Sequence, residues 1–171
     1  MKKYLLLLTL LFGYICTYAQ HISFMGIQLG QSVSIVDRSL REKGFWRENT
    51  YGVESVYMYS GEFWKYKKAS IIFISLNGKV DEISVYPAQV NPSTGLTTSY
   101  FSKEQYNDLI KNLTKKYGKY SIKKGLDYTW KLEGGEISAS YEGENIMISY
   151  IDRDKIKERQ KRQKRNKDND L

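Results

Sequence analysis

The chain has 171 residues, and 27 lysines and arginines against 19 aspartates and glutamates give it a net charge of +8. It has one cysteine, Cys16, and one histidine, His21. These counts exclude a disulfide framework, a zinc site built from cysteine and histidine, thiol catalysis and a catalytic triad centred on a firmly held histidine. We therefore expect neither a metal nor a cofactor.

The N-terminal residues are typical of a secretory signal. Two lysines follow the first methionine, residues 5–12 form an apolar run, and Thr17 and Ala19 place small residues before a cleavage site. The apolar run is too short to span a bilayer as a helix. We predict that residues 1–19 are a signal peptide and that the mature chain begins at Gln20.

An alternative interpretation is a lipoprotein signal in which Cys16 is acylated. The bulky residues Tyr14 and Ile15 before the cysteine are unfavourable for it, so we expect ordinary cleavage. No other stretch of the sequence is both apolar and long enough to cross a membrane. The prediction is a periplasmic or secreted protein that does not span the membrane.

The C-terminal segment, residues 152–171, carries nine lysines and arginines, five acidic residues and almost no apolar side chains. Such a segment cannot bury enough apolar surface to offset the entropy of ordering it, so disorder or a solvated helical extension is expected. The simpler interpretation is a solubilising tail, and the alternative is attraction to anionic lipid headgroups, an envelope polysaccharide or an acidic partner. Nucleic acid fits the charge but not the predicted export. Residues 20–151 then form a single domain.

The first half of that domain opens with alternating apolar residues at 24–30, which predict a short extended segment. Ser32 can cap a helix whose apolar residues recur at helical spacing and which ends at Gly44. Residues 53–59 alternate as in a strand.

The strongest turn signal follows. Residues 67–76 and 79–86 alternate and flank the pair Asn77-Gly78, and an Asn-Gly pair in this position predicts a two-residue β-hairpin turn. The polar residues 87–101 then predict a long connection, which we expect to contribute to function because loops on a rigid scaffold often do.

The second half of the domain begins with a helix. Ser102 and Gln105 form a capping box, an apolar stripe follows, and Gly118 ends the helix. Glycines then separate four predicted strands, at residues 120–123, 126–132, 136–141 and 146–151.

This order of elements predicts an α+β fold, a two-layer sandwich in which two helices cover one face of an antiparallel sheet. Both halves run from a capped helix through a glycine into a meander. The pattern therefore also suggests a degenerate duplication of a helix-plus-meander unit.

Two features carry a resemblance to known exported families. The sequence Gly30-Gln31-Ser32, followed by Val36 and Leu40, resembles the start of the small outer-membrane assembly lipoproteins of the SmpA/OmlA type. The repeated helix-then-meander unit is similar to the fold of the β-lactamase-inhibitor proteins. The opening Phe-x-Gly-Ile-x-Leu-Gly also looks like the start of uncharacterised exported proteins of Bacteroidetes. These resemblances imply a protein-binding role, and they transfer no functional residue.

Carboxylates are the remaining candidates for catalysis. Asp81 and Glu82 lie in the predicted hairpin, and further glutamates crowd the C-terminal turns at positions 133, 136, 142 and 144. A glycosidase needs two opposed carboxylates in a cleft, whereas acids beside glycine turns are usually solvated. Calcium binding by Glu142 and Glu144 lacks the spacing of an EF-hand. We therefore predict that the protein is not an enzyme, and a carboxylate-dependent hydrolase is the weakest hypothesis.

Aromatic residues are concentrated in one strand–turn–strand segment. Phe63, Trp64 and Tyr66 lie beside a predicted turn, and Tyr57 and Tyr59 lie in the preceding strand. Trp and Tyr are enriched in interface hot spots because they combine a large rigid surface with a polar group. Alternate aromatic residues could instead fill the core, and the same rings could stack on sugars. We select these five residues as the candidate binding site.

The leading functional hypothesis is an exported, non-enzymatic module that binds another envelope or secreted protein as an inhibitor, immunity factor or assembly accessory. The alternative is a protein that binds an envelope polysaccharide or anionic lipid headgroups through its basic tail. Salt would weaken tail-mediated binding more than binding at an aromatic interface.

Overall fold

The computed structural model describes residues 22–48, 56–76, 78–91 and 93–169. The predicted signal peptide and its cleavage site lie outside these ranges. Within them the chain forms eleven strands and three helices. Their bounds in chain order are β1 Ser23–Phe24, β2 Ile27–Gln28, α1 Val33–Glu42, β3 Trp46–Arg47, β4 Val56–Phe63, β5 Tyr66–Leu76, β6 Lys79–Val90, β7 Thr97–Thr98, α2 Lys103–Tyr117, β8 Ile122–Lys124, β9 Asp127–Leu132, β10 Gly135–Glu142, β11 Asn145–Asp152 and α3 Arg153–Asn169.

Nine of these strands form one antiparallel sheet, in the order β3-β4-β5-β6-β11-β10-β9-β8 with β7 paired to β6. Strands β3 to β6 make one meander, and strands β8 to β11 make a second. Pairing of β6 with β11 joins the two, with Ile83 opposite Tyr150 and Ser84 opposite Ser149. The Ser84 and Ser149 hydroxyls are 3.0 Å apart and form a buried hydrogen bond. Strands from both halves of the chain therefore belong to one continuous sheet.

The predicted fold class, a two-layer α+β sandwich with two helices on one face of the sheet, is wrong. Over the described residues the molecule is mostly one large antiparallel sheet of nine strands, with only three short helices. The sequence pattern located both predicted helices but underestimated the strands. Ser32 precedes α1 as predicted, but its side chain makes no capping hydrogen bond. Strands β5 and β6 reach 11 and 12 residues, and no local signal showed that β6 would pair with β11.

The core is a single hydrophobic cluster to which the strands and the first two helices contribute. Val36 and Leu40 of α1 and Tyr106 and Leu109 of α2 are buried in it. The Tyr106 hydroxyl lies 2.9 Å from the carbonyl oxygen of Ala139, which ties α2 to β10. The largest fully buried side chains from the sheet are Tyr59, Ile71, Phe73, Ile83, Trp130, Ile137, Ile146 and Ile148.

Two predicted local structures are confirmed. The Ser102 hydroxyl accepts a hydrogen bond from the backbone amide of Gln105, and the Gln105 side chain accepts one from the Ser102 amide at 2.8 Å. This is the predicted capping box. Strands β5 and β6 pair up to Leu76 opposite Lys79, and Gly78 has a φ of 74°. The hairpin is therefore formed, although Asn77 itself lies outside the described residues.

The connection predicted at residues 87–101 is shorter than expected. Strand β6 continues to Val90, and Thr97–Thr98 returns as β7. The Asn91 side chain accepts hydrogen bonds from the amides of Ser93 and Thr94 and so orders the turn between the strands. Strand β6 therefore extends past residue 86, where the polar composition of the segment had predicted a loop.

The basic C-terminal segment forms helix α3 directly after β11. Its first turn contacts the sheet: the Arg153 amide donates to the carbonyl of Gly134, and the Lys155 ammonium lies 3.5 Å from a carboxylate oxygen of Asp81. Both side chains of this ion pair are largely buried, 15% and 12% exposed. The sequence predicted a solvated tail, whereas the first turn of this helix is attached to the body.

Candidate functional site

An open, largely apolar cleft of about 330 Å³ lies where the β1–β2 turn, the β4–β5 turn and α2 meet. Met25 contributes from the first turn and Trp64 from the second. Leu109 and Leu113 contribute from α2, and the buried Tyr150 contributes from β11. Clefts of a few hundred cubic ångströms are the usual size of small binding sites. The cleft is therefore the candidate functional site.

Trp64 occupies an unusual position in the β4–β5 turn. The turn has two residues, Trp64 and Lys65, between the paired residues Phe63 and Tyr66. Trp64 has a φ of 54°, in the left-handed region that costs an ordinary L-residue about 1–2 kcal/mol. Its side chain is nevertheless 47% exposed. The turn thus holds a large hydrophobic side chain at the surface where backbone energetics favour glycine.

The β1–β2 turn also places an exposed apolar residue at a positive φ angle. Met25 and Gly26 connect the paired residues Phe24 and Ile27, and their φ angles are 50° and 82°. Two positive φ angles define a turn in which asparagine followed by glycine is the preferred pair. Met25 takes the asparagine position and is 37% exposed. In both turns a bulky apolar side chain occupies the strained position, and both side chains line the same cleft.

Buried aromatic rings beneath the cleft fix the two turns relative to each other. Phe24 stacks on Phe63 with ring centroids 5.8 Å apart, and it meets Tyr150 edge-on at 5.2 Å. Tyr66 meets the buried Phe101 edge-on at 5.2 Å. Each of the two exposed side chains is therefore adjacent in sequence to a residue locked in the core. Such support holds a binding surface in place before any ligand arrives.

The end of α2 brings two tyrosine hydroxyls together at the cleft. Burial, followed by the nearby Tyr117 hydroxyl, raises the pKa of Tyr150 well above its ordinary value. Tyr150 is therefore neutral at physiological pH. The Tyr117 hydroxyl is shielded from solvent and has no hydrogen-bond partner of ordinary geometry within the described ranges.

Two lysines lie over aromatic rings of the cleft, and one of them, Lys116, lines it. The ammonium of Lys65 lies 4.7 Å from the centre of the Trp64 ring, and that of Lys116 lies 4.9 Å from the centre of the Tyr117 ring. Cation–π contacts of this kind are worth about 0.5–1 kcal/mol at exposed sites. In the part of the chain that the structure describes, neither ammonium is within 4 Å of a carboxylate. No carboxylate is among the cleft's lining residues.

The five residues selected from the sequence have different locations. Trp64 is exposed at the cleft, and Phe63 contributes to its lining but is only 7% exposed. Tyr66 is buried beside Phe101. Tyr59 is buried and donates a hydrogen bond to Asp37. The structure thus brings Phe63 and Trp64 together at the cleft and places Tyr59 and Tyr66 in the core.

Tyr57 lies away from the cleft. It is half-buried, stacks on Phe73 at 4.8 Å and has the Arg47 guanidinium 5.0 Å above its ring. The exposed Leu96 and Tyr100 of the 87–101 segment do not line the cleft either. Neither of these two predicted contributors is part of the site that the geometry defines.

The sequence analysis missed Met25, Lys116 and Tyr117. A signal for Met25 was present, because Met25-Gly26 separates two alternating apolar residues and could have been recognised as a two-residue turn. Lys116 and Tyr117 belong to a regular helix, where one side chain is not distinguishable from another until the fold is known. Their place at the cleft depends on how α2 crosses the two turns.

None of the acidic residues named from the sequence is among the residues that line the cleft. A second cavity of about 340 Å³ lies beside the cleft and includes Glu133 as its one carboxylate among the lining residues, together with Ser23 and Tyr117. No cluster of three histidine, cysteine, aspartate or glutamate side chains capable of holding a metal occurs in the described ranges. Over the same residues, none of the helices has the length and apolar character needed to traverse a bilayer.

Comparison with known proteins adds no relative. No protein-family model, no characterised protein and no solved structure matches the chain. The resemblance to β-lactamase-inhibitor proteins and to assembly lipoproteins of the SmpA/OmlA type stays a prediction. The functional argument therefore depends on the geometry of the cleft.

Proposed function

We propose that this protein is an exported, non-enzymatic binding module that engages another envelope or secreted protein through the cleft beside Trp64. The single observation that supports it is the conformation of Trp64, a half-exposed indole in a left-handed turn position. Strained backbone conformations persist where the surrounding structure enforces them, and they concentrate at functional sites.

The rigidity of the turn strengthens this proposal. A tryptophan with few accessible conformations loses little entropy on binding, which is why such residues serve as interface anchors. Phe63 and Tyr66, the paired neighbours of the turn, are both buried. The indole is thereby presented to solvent from a fixed base, and Met25 on the other turn adds an adaptable apolar contact.

Export is the part of the proposal that comes from the sequence alone. Residues 1–19 have the charge, apolar run and small residues of a cleavable signal. The module would act in the periplasm or outside the cell, as an inhibitor, immunity factor or assembly accessory. Sequencing the N-terminus of the mature protein tests this, and Gln20 is the expected first residue.

The binding role is tested by capture of a partner from an envelope extract, followed by affinity measurements on the purified partner. Trp64→Gly should weaken binding at least 30-fold, roughly 2 kcal/mol, as expected for an interface anchor. Trp64→Ala should bind as weakly but should be about 1 kcal/mol less stable than Trp64→Gly, because only glycine relieves the backbone strain.

Trp46→Ala is the matched control for this experiment. Trp46 is 52% exposed on the edge strand β3 and does not line the cleft. It should bind the partner with unchanged affinity. If Trp64→Gly binds as tightly as the natural protein, the cleft is not the interface and the proposal fails.

Helix α3 supports a second candidate function, attachment to an anionic surface. The helix has nine lysines and arginines and three acidic residues, and Ile156 is its one aliphatic residue. A helix without an apolar face would be held by charge alone. Binding to vesicles that contain anionic lipid should then disappear at high salt, whereas binding at the aromatic cleft should persist.

A further inference from the structure

We infer that the occupant of the cleft is a segment of the partner protein in which a bulky apolar side chain is accompanied by a carboxylate. This inference rests on the proposed function and specifies what the partner must present. It is argued from the size of the cleft, the nature of its walls and the sign of its charge.

The size of the cleft fits an anchor residue rather than a large ligand. Its volume of about 330 Å³ lies at the bottom of the range of roughly 300–1,000 Å³ that small-molecule sites occupy. The cleft is also open along one side. One or two large side chains from an extended or helical segment can enter it while the backbone of that segment stays outside.

The walls select an apolar anchor. Leu109 and Leu113 are buried residues of α2, and Met25 and Trp64 are the partly exposed side chains of the two turns. Burying an apolar side chain against such walls is favourable by about 25 cal/mol for each Å² removed from water. Methionine and tryptophan together can adapt to either an aromatic or a branched aliphatic side chain.

The charges at the rim select an acidic neighbour. Lys65 and Lys116 each hold their ammonium over an aromatic ring, and no carboxylate in the described part of the chain pairs with either. A basic segment in the cleft would bring like charges together. A carboxylate beside the anchor would instead meet the ammonium of Lys116, which lines the cleft, and that of Lys65 over the Trp64 ring. Both lie next to low-dielectric aromatic surface, where charge pairing is stronger than in water.

A displayed library of random short peptides, selected on the immobilised mature protein, tests the inference. We expect the enriched peptides to combine Trp, Phe, Leu or Met with Asp or Glu within a few positions. The double variant Lys65→Glu/Lys116→Glu should bind a selected peptide at least tenfold more weakly. Replacing the acidic residue of that peptide by lysine should restore binding to the double variant.

Lys115→Glu is the matched control. Lys115 precedes Lys116 in the last turn of α2 and contributes in the same way to the helix end, but it does not line the cleft. It should change the affinity for the selected peptide less than twofold. Thermal melting of each variant verifies that the fold is intact.

Three outcomes would overturn the inference. The first is enrichment of peptides without acidic residues, and the second is a double variant with unchanged affinity. The third is the absence of any enriched peptide; tryptophan fluorescence that laurate, a free amphipathic carboxylate, quenches in the natural protein but not in Trp64→Gly would then identify a small amphipathic ligand instead. If Trp64→Gly still loses the natural partner in any of these cases, the inference fails and the proposed function stands. If Trp64→Gly retains the partner, the proposed function itself fails.

Discussion

The β4–β5 turn and the ion pair between β6 and α3 both cost free energy, but the two costs are offset in different ways. Asp81 loses hydration when it is buried, and the Lys155 ammonium 3.5 Å away offsets part of that cost. Trp64 holds a strained backbone and remains 47% exposed, although its ring meets Tyr66 edge-on at 5.6 Å and lies 4.7 Å from the Lys65 ammonium. A cost that is compensated locally indicates a structural role.

The turn between β10 and β11 sharpens the contrast. It has the same left-handed geometry as the β1–β2 turn, with φ angles of 54° at Gly143 and 66° at Glu144. There the residues are a glycine and an exposed polar side chain, which is ordinary turn composition. The β1–β2 and β10–β11 turns therefore have similar backbones. The apolar residue at Met25 is not required by turn geometry.

The largest expected effect concerns the residue that precedes the turn. Phe63→Ala should lower the free energy of unfolding by about 3–5 kcal/mol, because a buried ring that stacks on Phe24 is removed from the core. Chemical denaturation measures the change. A loss below about 1 kcal/mol would show that Phe63 belongs to the surface with Trp64, and the division between core and site at this turn would be wrong.

A smaller effect is expected at the ion pair. Lys155→Met keeps the length of the side chain but leaves the buried Asp81 carboxylate without its counter-charge, which should cost about 2 kcal/mol at neutral pH. Lys157→Met is the matched control on the same helix. Its exposed pair with Asp154 should contribute less than about 0.5 kcal/mol. Equal effects of the two substitutions would remove the basis for treating the first turn of α3 as part of the fold.

The same pair predicts a pH dependence. Burial raises the pKa of Asp81, Lys155 lowers it in part, and the neighbouring Glu82 charge adds to the rise. Because the folded pKa is raised, the contribution of Asp81 to stability is full below its unfolded pKa and is lost as pH rises through the folded pKa. The cost of Lys155→Met should therefore shrink as pH falls toward 4. In an Asp81→Asn background it should be small at every pH.

The sequence predicted the local features of this fold better than its long-range ones. The Ser102–Gln105 capping box and the β5–β6 hairpin follow from residues within a few positions of each other, and both were found. The pairing of β6 with β11 joins residues more than sixty positions apart. Its register follows from which faces are buried, which only the assembled core decides.

The candidate site was predicted only in part, because one of its residues has a local signal and the others depend on the assembled fold. Trp64 was selected because aromatic residues beside a turn are difficult to bury, and it is exposed at the cleft. That argument cannot separate Trp64 from Phe63 and Tyr66, since all three flank the turn. The separation comes from the two-residue turn, which directs Trp64 outward and pairs the other two within the sheet.

The strain in the β1–β2 turn should appear as a difference of up to about 1 kcal/mol in the free energy of unfolding between two Met25 variants. Met25→Asn and Met25→Ala both remove the apolar side chain, but asparagine tolerates a φ near 50° better than alanine. The asparagine variant should therefore be roughly 0.5–1 kcal/mol more stable than the alanine variant in chemical denaturation. Met25→Leu retains both strain and apolar character and should match the natural protein. Equal stability of Met25→Asn and Met25→Ala would mean that the turn is not strained.

The smallest effect is expected from shortening the basic helix. A chain that ends at Gln160 keeps Lys155, and with it the contact to Asp81, while it loses five lysines and arginines and two acidic residues. Its melting temperature should change by no more than about 2 °C, because the described residues beyond this point, Lys161 and Arg165, are exposed. A chain that ends at Arg153 removes the ion pair as well and should lose stability comparable to Lys155→Met. If both truncations destabilise equally, the far part of α3 also docks on the body. If neither does, the buried pair contributes nothing, and the contrast with the cleft turns disappears.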